Sequence, residues 1–240
     1  MSATTPAALA KQVADWMLEI LRPTTGPVAI CLAGGSTPKL LYELLAQSPY
    51  QGLMPWDRIH VFWGDERFVP PDSPLSNYRM TYTALLCHVN MPASHMHSVQ
   101  TENVSSIQAA QLYQSALQAF YGANTLDPAR PLFEIVLLGL GTNGHTASLF
   151  PGTTALNERV AWAAPVTPEG EPTRITLTYP ALESARHVAF IVTGAEKQDV
   201  LVKVRAGDQA QPAARLRPTG DLHWFTDAAA EGCPAGPAWW

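Results

Sequence analysis

The chain has 240 residues, 47% of them apolar, and a formal charge of −5, which suits one domain spanning residues 1–240 around a substantial core. The mild charge without a basic cluster argues against nucleic acid as a partner, and no apolar run is long enough to cross a bilayer. Cys31, Cys87 and Cys233 are scattered without C-x-x-C spacing, which predicts free thiols in a reducing, cytoplasmic setting.

Leu9, Val13, Trp16, Met17 and Ile20 recur at helical spacing and predict a first amphipathic helix. Lys11, Asp15 and Glu19 interrupt any apolar core there, so this segment does not read as a signal peptide. Val28 to Leu32 predicts a strand, followed by a Gly-Gly turn and a helix over Pro38–Gln47, with Leu40, Leu41, Leu44 and Leu45 on one face. Ile59 to Trp63 is a second strand, whose long polar loop leads to a helix near Tyr78–Cys87. Val104, Ile107, Ala110, Tyr113, Leu117 and Phe120 mark a longer amphipathic helix. Further strands are predicted at Phe133–Leu138, Val160–Val166, Arg174–Tyr179, His187–Thr193 and Leu222–Thr226, with a helix around Lys197–Arg205. This alternation predicts an α/β fold with a mostly parallel sheet and helices on both faces. The 21 prolines, about twice the usual share, fall in connections and predict long ordered loops. Pro234 to Trp240 reads as a surface tail, and the sequence leaves monomer and homo-oligomer equally open.

The segment most charged with chemistry runs from Leu138 to Gly152, where three glycines precede His145 at the expected start of a helix. Gly139-x-Gly141-x-x-Gly144 has dinucleotide spacing, but a nicotinamide site needs a full helix behind it and a distal carboxylate. Pro151-Gly152 cuts such a helix short, and the Val160–Val166 run carries no acid, so no nucleotide cofactor is predicted. The glycines instead let the backbone approach a small ligand and aim His145 at it. Ala33-Gly34-Gly35-Ser36-Thr37-Pro38, between strand and helix, offers backbone N–H groups, two hydroxyls and a helix N-terminus, a design for a phosphate monoester. The same segment also reads as an ordinary turn capped by Ser36 or Thr37. Trp63-Gly64-Asp65-Glu66-Arg67 places charges at the end of a strand, where α/β sheets bind ligands. Arg67 suits a developing oxyanion, with Asp65 or Glu66 orienting it or moving protons; a solvated charge cluster opening a loop is the plainer alternative. Ser76-Asn77 fits a helix cap, and the same side chains could instead face the cleft. Arg174 and Lys197 are cations able to complete the phosphate site or simply to face solvent. Cys87-His88 with His95-x-His97 lacks a recognised ligand spacing, so no metal is predicted, and His60, His187 and His223 read as structural.

Taken in order, these segments resemble the 6-phosphogluconolactonases of the glucosamine-6-phosphate isomerase/6-phosphogluconolactonase superfamily. The resemblance rests on Ala33 to Pro38, Trp63 to Pro70 with Ser76-Asn77, Leu138 to Gly152, Arg174 to Thr178, Gly194 with Lys197, and Trp224 to Asp227. It implies a modified Rossmann-like fold without nucleotide or metal, and hydrolysis of a phosphosugar lactone. It further implies that His145 is the general base, that Arg67 lies beside the reacting end, and that Gly35, Ser36, Thr37, Arg174 and Lys197 hold the phosphate. The family usually has Asp two residues before the histidine, where this chain has Asn143, an uncharged residue expected to orient His145 while Asp65 supplies the field. The deaminases of the superfamily continue after the histidine into Asn-Glu-Pro; this chain has Leu149-Phe150-Pro151, which favours hydrolysis over isomerisation. A silent sugar-phosphate sensor is the remaining alternative.

Overall fold

The computed structural model describes residues 1–232; the Pro234–Trp240 tail and Cys233 lie outside the described residues. In chain order the elements are β1 (Ser2–Ala3), α1 (Pro6–Leu21), β2 (Val28–Leu32), α2 (Ser36–Leu45), α3 (Tyr50–Leu53), β3 (Ile59–Trp63), β4 (Asp65–Arg67) and α4 (Asn77–Ala84). They continue with β5 (Met96–His97), α5 (Ser106–Tyr121), β6 (Phe133–Leu138), β7 (Ala163–Val166), β8 (Arg174–Leu177), α6 (Tyr179–Glu183), β9 (Ala185–Val192), α7 (Gln198–Arg205) and β10 (Asp221–Asp227).

Local chemistry accounts for the two longest helices. Thr5 caps α1 by accepting from the Ala8 N–H at 3.2 Å, Pro6 occupies its first turn, and Leu9, Val13, Met17 and Leu21 form its buried stripe. A reciprocal Ser105–Gln108 capping box starts α5, and Gly122 in the left-handed region ends it. Two predicted stripe residues fall outside the core. Ile107 of α5 is 61% exposed and Leu40 of α2 is 42% exposed. Both sit at helix edges where the apolar arc read from spacing is wider than the surface available to cover it.

Seven strands form a parallel sheet in the order β1-β10-β9-β6-β2-β3-β5. Alternation along the strands supplies two cores. Ile30, Val61, Leu137 and Phe225 face α1 and α2 on one side, while Cys31, Phe62, Val136 and Phe190 face α5, α7 and the small sheet on the other. Truncating a fully buried ring such as Phe190 to alanine costs about 3–5 kcal/mol. From β2 the chain proceeds outward to β3 on one side, and later returns to place β6 on the other. The loops that leave β2 and β6 therefore diverge at a topological switch point, where α/β sheets form their binding crevice.

The expectation of a mostly parallel sheet holds for this layer, but three segments leave it. β4, β8 and β7 form a separate three-stranded antiparallel sheet. Asp65-Glu66-Arg67, read as the opening of a loop, is strand because it pairs with Arg174–Thr176. The strand predicted from Val160 begins only at Ala163, since Val160 is 85% exposed and Glu158 Oε1 accepts its N–H and that of Ala161 in a turn. Gly64 joins the sheets: its N–H donates to Leu32 O at 2.9 Å, and its carbonyl accepts from Leu177 N at 2.8 Å. Among the described residues, no helix is long and apolar enough to cross a membrane.

Candidate active site

A cleft of about 330 Å³, within the range of small-molecule sites, opens at the carboxyl ends of β2, β3, β6 and β9. Gly34, Gly35, Ser36 and Thr37 form one wall. Gly35 has φ of 105°, a conformation open to glycine and strained for other residues, and it turns the chain directly into α2. No side chain caps α2, so neither Ser36 nor Thr37 consumes its free N–H groups, and the positive end of the helix faces the cleft. Thr37 and Thr193 share a hydroxyl–hydroxyl hydrogen bond of 2.6 Å, which ties this wall to the turn carrying Lys197. Lys197 lines the same cleft.

The opposite wall comes from the small sheet. In the β4–β8 ladder Asp65 pairs with Thr176 and Arg67 with Arg174, so strand alternation puts all four on one face. Asp65 is buried: it accepts from Ser148 Oγ at 2.6 Å and from Asn77 Nδ2 at 3.3 Å, and lies 3.5 Å from Arg174 Nη1. Arg174 also pairs with Glu171 and lies over the Phe150 ring. Arg67 donates through Nη1 to Leu75 O at 2.7 Å. The Nε groups of Arg67 and Arg174 are both buried without a hydrogen-bond partner among the described residues. Two adjacent cations with orphaned donors form a wall suited to an anion.

Glu66 takes no part in this wall. Pointing to the other face of β4, it accepts from the backbone N–H groups of Arg67, Asn77 and Tyr78 and from Ser76 Oγ, anchoring the start of α4. Of the two acids the sequence offered, the structure brings only Asp65 to the cleft. Ser76 caps α4 as expected, accepting from Arg79 N–H at 3.1 Å.

His145 stands between the walls, although not at the start of a helix. Gly144 (φ 78°) and Ala147 (φ 46°) turn the chain into a tight bridge between Thr146 and Leu149 instead. A Cβ on Gly141 would lie 2.1 Å from the His145 ring, so that glycine is required by the ring's close approach. The ring stacks on Phe150 with centroids 4.2 Å apart. Its Nδ1 lies 2.5 Å from Asn143 Oδ1, and the same oxygen accepts the His145 backbone N–H at 3.2 Å. An amide oxygen only accepts, so Nδ1 carries the proton and Nε2 keeps its lone pair in the neutral ring. Burial pushes the imidazole down to about 4; Asp65 opposes this, while Arg174 and Lys197 reinforce it.

Sequence reasoning missed Phe150 and Ser148 as parts of this architecture, whereas Asn77, which it allowed to face the cleft, does line it. Ser148 and Phe150 lie in the quoted motif, but their roles need the contacts across to Asp65 and His145. Among the described residues, the remaining histidines and both Cys31 and Cys87 lie outside the cleft lining. His88 and Cys87 both turn to Thr83 O, whereas His97 joins His60 through ring nitrogens 3.0 Å apart, so the Cys87-His88 and His95-x-His97 pairs do not assemble as one cluster.

Fold and cleft together define a Rossmann-like α/β protein in which His145 stands in the cleft between a helix N-terminus and paired cations. The family described as glucosamine-6-phosphate isomerases/6-phosphogluconolactonase matches residues 4–224. The chain is 45% identical over 208 residues to a 6-phosphogluconolactonase of Nostoc, covering 85% of this chain and 84% of that protein. It is 42% identical over 205 residues to one of Synechocystis, covering 84% and 82%. The structure of a 6-phosphogluconolactonase from Trypanosoma cruzi superposes with a TM-score of 0.86 at 30% identity, covering 97% of this chain and 95% of that one. The chain belongs to the glucosamine-6-phosphate isomerase/6-phosphogluconolactonase family.

Proposed function

We propose that the protein hydrolyses 6-phospho-D-glucono-1,5-lactone to 6-phospho-D-gluconate, the second step of the oxidative pentose phosphate pathway. The observation that carries this reading is the hydrogen bond of His145 Nδ1 to Asn143, which leaves Nε2 as a free base in a cation-lined cleft. The names of the relatives that match most of the chain support the same activity.

The lactone phosphate binds at the N-terminus of α2, held by Gly34, Gly35, Ser36 and Thr37 and neutralised by Lys197 and Arg174. Anchoring the far end of the substrate orients the ester at little further entropic cost. His145 Nε2 removes a proton from water as its oxygen adds to the lactone carbonyl. Arg67, with its unpartnered Nε, stabilises the oxyanion that develops. The intermediate collapses with cleavage of the bond to the ring oxygen, which receives the proton back from His145. Asp65 acts through its contacts with Arg174 and through its field on the imidazolium.

Isomerisation of an amino sugar phosphate would need a further acid/base group on this loop. Leu149 and Phe150 are both buried there, and neither moves protons. The deciding assay supplies freshly made lactone and follows acid release above spontaneous hydrolysis, with glucosamine 6-phosphate scored for ammonia as control. His145→Ala should lower kcat by roughly 10²–10⁴. No enhancement with the lactone overturns the activity; near-normal turnover in the variant moves the base elsewhere. The protein acts as a small-molecule enzyme without nucleic acid, nucleotide or metal in the reaction, and its place is the cytoplasm.

A further inference from the structure

The opposite end of the parallel sheet carries a second group of side chains with a different chemistry. β9 and β10 are neighbours in parallel register, with Asp221 beside His187 and His223 beside Ala189. Alternation puts His187, Asp221 and His223 on the same side of the sheet as Ala189 and Phe225, the side covered by α1. Asp221 and His187 stand at or near the amino ends of their strands, whereas the cleft lies at the carboxyl ends.

The three side chains converge. His187 Nδ1 lies 3.3 Å from His223 Nε2 and 3.7 Å from Asp221 Oδ2, and one ligand atom from each residue lies within 4.8 Å of the others. A tetrahedral zinc ion with bonds of roughly 2.0–2.1 Å sets its ligand atoms about 3.3–3.4 Å apart. The histidine pair already has that spacing, which is slightly beyond the usual N–H hydrogen-bond range of about 2.7–3.2 Å. The Asp221 side chain is 75% exposed and free to move toward the two imidazoles. Trp16 from α1 packs against both imidazoles, with centroids 6.0 Å from His187 and 5.0 Å from His223, and restricts their ring planes.

We infer that His187, Asp221 and His223 form a binding site for a late first-row divalent cation, zinc above all. His187 binds through Nδ1, His223 through Nε2 and Asp221 through one carboxylate oxygen, with water in the fourth position on the exposed side. Two imidazoles and one carboxylate suit zinc, nickel or cobalt; magnesium and calcium prefer all-oxygen shells. The ion links β9 to β10 beneath α1. Because it sits away from His145, it stabilises the fold and takes no part in lactone hydrolysis.

The test uses the whole protein after dialysis against a chelator, titrated calorimetrically with zinc chloride. Wild type should take up one equivalent that magnesium does not displace. His223→Ala and Asp221→Asn should weaken that equivalent by about tenfold or more, while lactonase turnover of the zinc-free proteins stays at the wild-type level. Asp221→Asn, at an exposed position, keeps the test valid if His223→Ala fails to fold. Nickel should quench the Trp16 contribution to fluorescence, defined against Trp16→Phe, in wild type and not in Asp221→Asn. His97→Ala, which removes the other histidine group, should leave the zinc equivalent intact. Absence of saturable zinc binding overturns the inference. So does binding that is unchanged in both site variants, or binding that His97→Ala abolishes.

Discussion

Asn143→Asp is the most instructive substitution, because it changes one atom of the group that meets His145. The Asn143 Oδ1 lies 2.5 Å from Nδ1, so a carboxylate in the same rotamer would face the ring with a formal charge. For charge centres about 4 Å apart and an effective dielectric between about 20 and 80, the attraction to the imidazolium is about 1–4 kcal/mol. That corresponds to roughly one to three pKa units. Asn143 is exposed, which places the effect near the lower end. His145, held at about 4 by burial, should rise by about one to two units in the variant and remain neutral at pH 7. A stronger base that is still deprotonated raises turnover, by about three- to tenfold for a proton half-transferred in the transition state. The measurement is an NMR titration of the His145 Cε1–H alongside kcat at pH 7. An unchanged titration midpoint would refute the electrostatic reasoning. Asn143→Ala, which removes the acceptor, should instead lower kcat; wild-type turnover there would show that the contact does not orient the ring.

Three further outcomes follow from the geometry. Gly141→Ala should abolish most activity while leaving the far-UV circular dichroism spectrum unchanged, because the three atoms nearest the new methyl all belong to the His145 ring; an active variant would show that the ring moves freely. Lys197→Ala and Arg174→Ala should each raise KM and weaken inhibition by inorganic phosphate, and unchanged KM in both would remove the proposed anchor. His145 also links stability to pH. Its folded-state pKa of about 4 lies below the unfolded value of 6.5, so the unfolded chain binds the extra proton between these limits. The contribution is present above pH 6.5 and lost as pH falls through about 4. His145→Asn should therefore flatten part of the loss in urea midpoint between pH 7 and 4.5, and parallel curves for variant and wild type would contradict it.

The parallel layer was legible because each of its main strands is a short apolar run with a recognisable stop. Phe133–Leu138 and Val28–Leu32 were predicted to the residue for that reason. The loops after them were legible through glycines and hydroxyls. The small sheet was not, because Asp65-Glu66-Arg67 has no intrinsic strand signal and becomes strand only through its pairing with β8. For the same reason the charge cluster by itself did not separate Asp65 from Glu66. Their division between cleft and helix anchor is set by the two-residue period of a strand whose existence was invisible. The convergence of His187 with His223 was equally hidden, since 36 residues separate them in sequence and only the register of β9 and β10 joins them.

The attachment of the histidine loop has a consequence for how this protein fails. Thr146 Oγ1 donates to Gly139 O, on the side of the parallel sheet, while two residues later Ser148 donates to Asp65 and Thr176 of the small sheet. His145 thus immediately precedes two ties that fasten its loop to both layers. A slight slip of one layer against the other would strain these ties directly. Catalytic rate is accordingly a finer gauge of inter-sheet alignment than a melting curve. Damage accumulating in either core should register first as lost turnover in a protein that still melts normally.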